Sequence, residues 1–319
     1  MVIIFLISGI YKFMKVRTPL IIGAGTGWCA TSPLFMTLQC FHKCAHVGLQ
    51  KEDHLLYHVY TDDAWKWRKP SYEKVIRSSM SPVSKEEWGR QCKYAFHQNL
   101  DEIHELFQKP TLETYIKYYT RHYQRVKHEY QYVADFSNSN SELPVSFLQE
   151  IAPELKKHFD IKVLIIFRDP VRRSYSEMSA IYQKFKNIRE KYPTSKDYWR
   201  SYLKMKYYSM NFEYVKRIKY YKSVFSTLPI VSEDLWGGKN DSLAKLSNFL
   251  QYDIKKLWPN CYYPEMGTKT PVLERKWNLS DQWGSDLEDL TDEDLSFGRK
   301  YLEKYYDEWY NEFGTTPWG

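Results

Sequence analysis

The chain has 319 residues, enough for one large domain with a sizeable core, and its 43% hydrophobic content excludes a disordered or low-complexity protein. A net charge of +7 suits an anionic small ligand or an acidic polymer, but no aromatic–basic signature of an RNA module accompanies it, so nucleic acid is not the expected partner. Five cysteines at irregular spacing (Cys29, Cys40, Cys44, Cys92 and Cys261) form no disulfide framework and favour a reducing, cytoplasmic setting.

The start, Val2–Ile10, is apolar but shorter than the roughly 20 residues a membrane-spanning helix needs. Residues 1–15 are set apart as an apolar N-terminal segment with no clear membrane anchor, and 16–319 read as one domain. Leu20–Ile22 is a short apolar strand, followed by the glycine-spaced turn Gly23-Ala24-Gly25-Thr26-Gly27 and then Trp28-Cys29-Ala30-Thr31-Ser32-Pro33. Leu34–His46 reads as a helix. On that helix Cys40/Cys44 and His42/His46 fall on two different faces at i,i+4, which favours ordinary helix residues over a zinc site. Val47–Tyr60 holds the charged cluster Lys51-Glu52-Asp53-His54, placed after a second strand. Residues 61–84 are turn-rich; 85–107 and 112–128 are helical by periodicity, so 61–128 forms a helical insertion. Tyr130–Phe136 is a strand closed by the polar turn Ser137–Asn140, and Pro144–Phe159 a helix with Pro144 in its first turn.

Lys162–Phe167 (KVLIIF) is a continuous β-branched run of the kind buried on both faces of a sheet. It stops at Arg168-Asp169-Pro170, and a helix follows from Val171. Tyr198–Phe225 reads as a long helical region, Leu228–Val231 as a strand and Ser242–Gln251 as a helix. Residues 261–278 are a basic loop. Asp292–Phe313 is an amphipathic helix capped at Thr291 or Asp292 and stopped at Gly314. Strands alternating with helices predict a three-layer α/β fold with a central, mainly parallel sheet flanked by helices.

Two stretches carry chemistry. A glycine turn between a strand and a helix start lets backbone N–H groups approach a phosphate, with Thr31 and Ser32 adding hydroxyl donors. It is not the nucleotide-triphosphatase loop, because Ala30 stands where the lysine belongs, and Trp28 breaks the dinucleotide glycine pattern. The ligand of the turn stays open on these residues alone. In the second stretch Arg168 lies just past a buried strand and Ser176 two turns into the next helix. Arg can fork onto a phosphate and Ser can add one more bond; the alternative is a local Arg168–Asp169 ion pair.

Taken together, the glycine turn and the later R-D-P-x-x-R-x-Y-S run (Arg168 to Ser176) resemble the sulfotransferase family dependent on 3′-phosphoadenosine 5′-phosphosulfate (PAPS). The resemblance extends to Glu233-Asp234-Leu235 after a late strand and to the closing helix; it is weakest over 61–128. It implies a P-loop-like nucleotide site in which Gly27, Trp28, Cys29, Ala30, Thr31 and Ser32 hold the 5′-phosphosulfate, and Arg168 and Ser176 the 3′-phosphate. No metal is implied. The family's basic residue in the first loop is Trp28 here and its following glycine is Ala30. Lys51 and the basic residues of the 267–276 loop are candidates to replace the missing charge.

By the same resemblance Glu52 is the general base, as in members that act on glycans, and His54 is the runner-up. Aromatic and basic residues in 61–128 fit a glycan or glycolipid acceptor, or a packed helical core. The expected activity is in-line sulfuryl transfer from PAPS to an acceptor hydroxyl or amine. The alternative is a silent module that binds the nucleotide without turnover, a possibility raised by Trp28. Oligomeric state is not legible in the sequence.

Overall fold

The structure, a computed structural model, describes residues 17–47, 54–61, 110–205, 212–238, 241–255, 257 and 290–318. Strand β1 (Thr18–Gly23) leads through a turn into helix α1 (Thr31–Met36), which loosens into a π-helical turn over Thr37–Phe41. Strand β2 (Ala45–Val47) and helix α2 (Leu55–Tyr60) follow on either side of residues 48–53. Helix α3 (Leu112–Val126) opens on a capping box between Thr111 and Thr114, and strand β3 (Tyr132–Asp135) runs into a 3-10 turn, Asn138–Glu142. Helix α4 (Val145–His158) feeds β4 (Phe159–Phe167). Helices α5 (Pro170–Lys184), α6 (Lys186–Lys191), α7 (Ser195–Lys204) and α8 (Tyr214–Val224) come next, then β5 (Ser226–Val231), α9 (Ser232–Trp236) and α10 (Ser242–Leu250). Helix α11 (Asp292–Phe313) closes the chain. Its N-terminus is held by a capping box between Thr291 and Asp294, and its C-terminus by Gly314 at φ 70°.

The five strands form one sheet in the order β2-β3-β1-β4-β5, with every pairing among them parallel. Successive side chains of a strand point to opposite faces, and the two cores follow that alternation. Leu20, Ile22, Val163, Ile165 and Phe167 join one cluster with residues of α3, α4, α5, α7, α8 and α11. Ile21, Leu164, Ile166 and Ile230 join the other, with Leu34, Phe35, Leu246 and Leu250 of α1 and α10. The expected α/β layering with helices on both faces is therefore present. From β1 the chain crosses towards β2 on one side; from β4 it crosses to β5 on the other. Neighbouring strands whose connections leave in opposite directions open a crevice at their C-terminal ends, where α/β folds bind ligands. On α11, Gly298 lets the helix lie close to α5: a Cβ there would meet Val171 Cγ1 at 2.7 Å.

Several elements differ from the sequence reading. The helix expected to reach His46 ends at Phe41. The backbone turns left-handed at Lys43 (φ 51°), and Ala45–Val47 pairs with Tyr132–Ala134 as a strand. Cys44 and His46 therefore do not stand on the helical faces predicted for them. His46 Nδ1 lies 2.8 Å from His122 Nε2 instead, and among the described residues no cluster of three or more metal-ligating side chains forms. Pro144 is the N-cap of α4, not part of its first turn, since its ψ of 147° is extended. The long helix expected over 198–225 is two helices, α7 and α8, either side of residues 206–211. Strand β4 starts three residues early, at Phe159, because Phe159 and Ile161 are buried while Asp160 faces solvent. The N-terminal segment, the 85–107 helix and the 261–278 loop lie outside the described residues, as do Lys51, Glu52 and Asp53.

Candidate functional site

The turn after β1 is built by close approach. A Cβ on Gly25 would stand 3.1 Å from the backbone N and O of Ile166 in β4, and one on Gly23 would meet the Phe136 ring at 2.6 Å. Thr26 Oγ1 and Cys29 Sγ, 3.0 Å apart, clip the two limbs of the turn together. Burial pushes the Cys29 thiol above its ordinary pKa despite the nearby Arg173, which favours the neutral thiol packed in the turn. Gly27 and Trp28 are the partly exposed positions of the turn; residues on both sides are buried. Trp28 (φ 69°) and Ala30 (φ 63°) both adopt the left-handed conformation that normally favours glycine. The glycine that the resemblance expects at position 30 thus has a conformational reason, which Ala30 meets at a cost.

The corner between β4 and α5 lies beside this turn. Pro170 sits at the first helical position, and Asp169 caps α5 by accepting the Arg172 N–H at 2.9 Å. Asp169 also accepts the Tyr306 hydroxyl at 3.0 Å, tying α11 to the corner. Arg168 Nη1 donates to Ser176 Oγ at 2.7 Å and approaches the Trp28 carbonyl at 3.4 Å. Its Nε is buried with no hydrogen-bond partner, 4.0 Å from Glu233 Oε1. Burial lowers the Arg168 pKa, with Glu233 opposing, yet a guanidinium stays charged across the physiological range. Glu233 is fixed from two sides: Oε1 accepts the Asp169 N–H at 3.0 Å and Oε2 the Trp318 indole N–H at 3.2 Å. Burial raises its pKa.

A third wall comes from the 3-10 turn after β3. Asp135 Oδ1 accepts the Ser137 N–H and hydroxyl at 3.0 and 2.6 Å, which fixes where the turn begins. Asn138 then accepts the Thr31 hydroxyl at 3.3 Å. Its neighbour Ser139 lies 2.7 Å from His54 Nδ1, while the His54 N–H donates to Ser137 Oγ at 2.8 Å. The start of α2 is thereby tethered beside the glycine turn. His54 itself is buried and left-handed at φ 53°.

In overall shape the chain is similar to solved sulfotransferases. The enzyme from Alicyclobacillus acidocaldarius aligns at a TM-score of 0.46 and 13% identity, over 94% of this chain and 97% of its own. The sulfotransferase domain of the Synechococcus olefin synthase aligns at 0.43 and 14%, over 90% and 96%. The sulfotransferase domain from the curacin biosynthetic pathway aligns at 0.43 and 14%, over 90% and 98%. No protein-family model and no curated protein matches the sequence.

Of the residues singled out from sequence, Gly27, Trp28, Cys29, Ala30, Thr31, Arg168 and Ser176 come together at the β1–β4 crevice, with Ser32 next in the chain at the start of α1. Glu52 lies outside the described residues. Sequence reasoning missed three contributors. Arg173 donates from Nε to the Gly27 carbonyl at 3.1 Å, Glu233 backs Arg168, and Asn138 holds Thr31. Arg173 and Glu233 stand within the motifs that carry the resemblance, but their partners are distant in sequence, and Asn138 reads from sequence only as part of a polar turn.

Proposed function

We propose that this chain is a sulfotransferase that takes its sulfuryl group from PAPS. One observation carries the reading: a glycine turn and a buried Arg–Ser pair meet at a single crevice, so that one nucleotide with a phosphate at each end spans both. Arg168 fits an anion there. It is nearly enclosed, one guanidinium N–H is buried without a partner, and Ser176 stands 2.7 Å away to share the load. In this reading the backbone of Gly27 to Ser32 takes the 5′-phosphosulfate, while Arg168 and Ser176 take the 3′-phosphate.

Sulfuryl transfer resembles phosphoryl transfer in what it asks of a protein: alignment, charge stabilisation and removal of the acceptor's proton. The acceptor oxygen or nitrogen bonds to sulfur as the sulfur–oxygen bond to the 5′-phosphate breaks, and 3′-phosphoadenosine 5′-phosphate (PAP) leaves. The turn's N–H groups stabilise the departing phosphate oxygen. Glu52 takes the acceptor proton, and the acceptor is a glycan or glycolipid. His54 is the second reading for the base, because Ser139 holds its ring beside the glycine turn. Trp28 supports a different second reading, a module that binds PAP but does not turn over.

Incubation with sulfur-35-labelled PAPS and a panel of glycan, glycolipid and phenol acceptors tests the proposal. Transfer to a sugar is the expected result, at least ~100-fold slower in Glu52→Gln and little changed in His54→Asn. The reverse order assigns the base to His54. PAP binding without transfer supports the silent module, and no binding of PAP by the intact chain rejects both.

A further inference from the structure

Trp28 leaves the turn without a cationic side chain of its own, and the candidates Lys51 and 267–276 lie outside the described residues. Two buried guanidinium groups nevertheless bear on it. Arg173 Nε donates to the Gly27 carbonyl at 3.1 Å, and Arg168 Nη1 approaches the next carbonyl, that of Trp28. These are the two solvent-facing positions of the turn. A carbonyl and the following N–H belong to one planar peptide unit. A cation on the oxygen draws density from that unit and strengthens the N–H on its far side as a donor. Through Gly27, Arg173 therefore acts on the Trp28 N–H.

The surroundings of Arg173 are those of a placed charge. Its side chain is only 2% exposed, Glu177 Oε2 lies 3.2 Å from Nη2, and the Phe212 ring lies 4.9 Å from Cζ. Nη1 is buried with no hydrogen-bond partner. Another cation, Arg217, is near enough for Arg173 to depress its pKa in addition to burial. An apolar side chain of the same volume would take this partner from both the Gly27 carbonyl and the Glu177 carboxylate, so the guanidinium is held here as a charge and not as filler.

We propose that Arg173 is a positioning residue that delivers, through the Gly27–Trp28 peptide, the positive charge that Trp28 lacks at the 5′-phosphate end of the nucleotide site. The inference rests on the reading of the chain as a PAPS-dependent sulfotransferase. Its test compares two probes by calorimetry. PAP has both phosphates, and adenosine 3′-phosphate lacks the one at the turn. Arg173→Gln keeps a donor for the Gly27 carbonyl and removes the charge; it should weaken PAP about tenfold and leave adenosine 3′-phosphate within about twofold. Arg173→Lys should hold PAP within about threefold. Trp28→Arg added to Arg173→Gln should recover most of the loss, because it restores a cation at the turn by another route. A role in holding the turn's shape predicts otherwise. PAP affinity like the parent in Arg173→Gln, equal loss of both probes, or no rescue by Trp28→Arg overturns the proposal. If Arg173→Gln does not fold by circular dichroism, Arg173→Met with and without Trp28→Arg is read the same way. A parent protein that binds neither probe rejects the functional reading itself, whereas normal binding by the parent with no charge effect rejects only the role of Arg173.

Discussion

Replacing Asp294 with Asn tests a charged knot that holds α11 against the rest of the fold. Asp294 Oδ2 accepts the Thr291 N–H at 3.0 Å and the Thr291 hydroxyl at 2.8 Å. Oδ1 accepts Arg200 Nη2 at 2.6 Å and Nε at 3.2 Å, and Lys196 Nζ lies 3.3 Å from Oδ2. Burial favours the neutral acid, but these bonds outweigh it and hold the pKa down to about 2. An unfolded aspartate titrates near ~3.9, so the difference is worth about 2.6 kcal/mol to the native state at neutral pH. The folded pKa is the lower one. The contribution is therefore complete above the unfolded value and is lost as pH falls through ~4 towards 2; about half remains at pH 3. Asn preserves the shape and some of the bonds but not the charge. The expected cost is ~2–3 kcal/mol at pH 7, shrinking to about half that at pH 3. Urea unfolding at pH 7, 5 and 3, followed by tryptophan fluorescence, measures it. A cost below ~1 kcal/mol at pH 7, or one that does not change with pH, refutes the argument.

Two further substitutions probe how the site is held. Ala30→Gly relieves a left-handed alanine, worth ~1–2 kcal/mol, against the ~0.5–1 kcal/mol that a flexible glycine costs through the unfolded chain. A net gain of ~0.5–1 kcal/mol in the same urea assay is expected, and a loss would contradict it. Gly298→Ala drives a methyl into Val171 of α5, with Cγ1 at 2.7 Å and Cγ2 at 2.8 Å, and should cost ~1–3 kcal/mol. A neutral result would mean that α11 can lift away from α5 at no cost.

The sequence was most informative where a signal was both local and long. Lys162–Phe167 reads as a strand because both of its faces are buried, and α11 announces its own ends through Thr291 and Gly314. Strand β2 was not legible: three residues, Ala45-His46-Val47, cannot outvote the helical spacing that precedes them. The break between α7 and α8 was hidden because lysine and tyrosine run through both without a proline or glycine to mark it. The candidate site divides along the same line. The glycine turn and the Arg168–Ser176 pair are short patterns that chemistry alone makes conspicuous. Arg173 gains its role from a carbonyl 146 residues away, and Asn138 from a hydroxyl 107 residues away. The left-handed backbone at Trp28 and Ala30 could not be inferred either, since neither residue is the glycine that would advertise it.

The strand order has a consequence for synthesis. Strand β1 is the first of the five to leave the ribosome and occupies the middle of the sheet, yet both of its neighbours come much later. It pairs with Leu20 opposite Val133 on one side and with Thr18–Gly23 opposite Phe159–Leu164 on the other. About 140 residues must be made after β1 before β4 is complete, which takes roughly 7–30 s at ~5–20 residues per second. Until β3 is made the apolar run Leu20–Ile22 has neither edge satisfied, and until β4 is complete one edge stays open to pairing with other nascent chains. A ribosome stalled before residue 132, with no partner strand for β1, should therefore hold a chain that chaperones bind more strongly than one stalled well beyond β5, where every pairing of β1 and β4 is available.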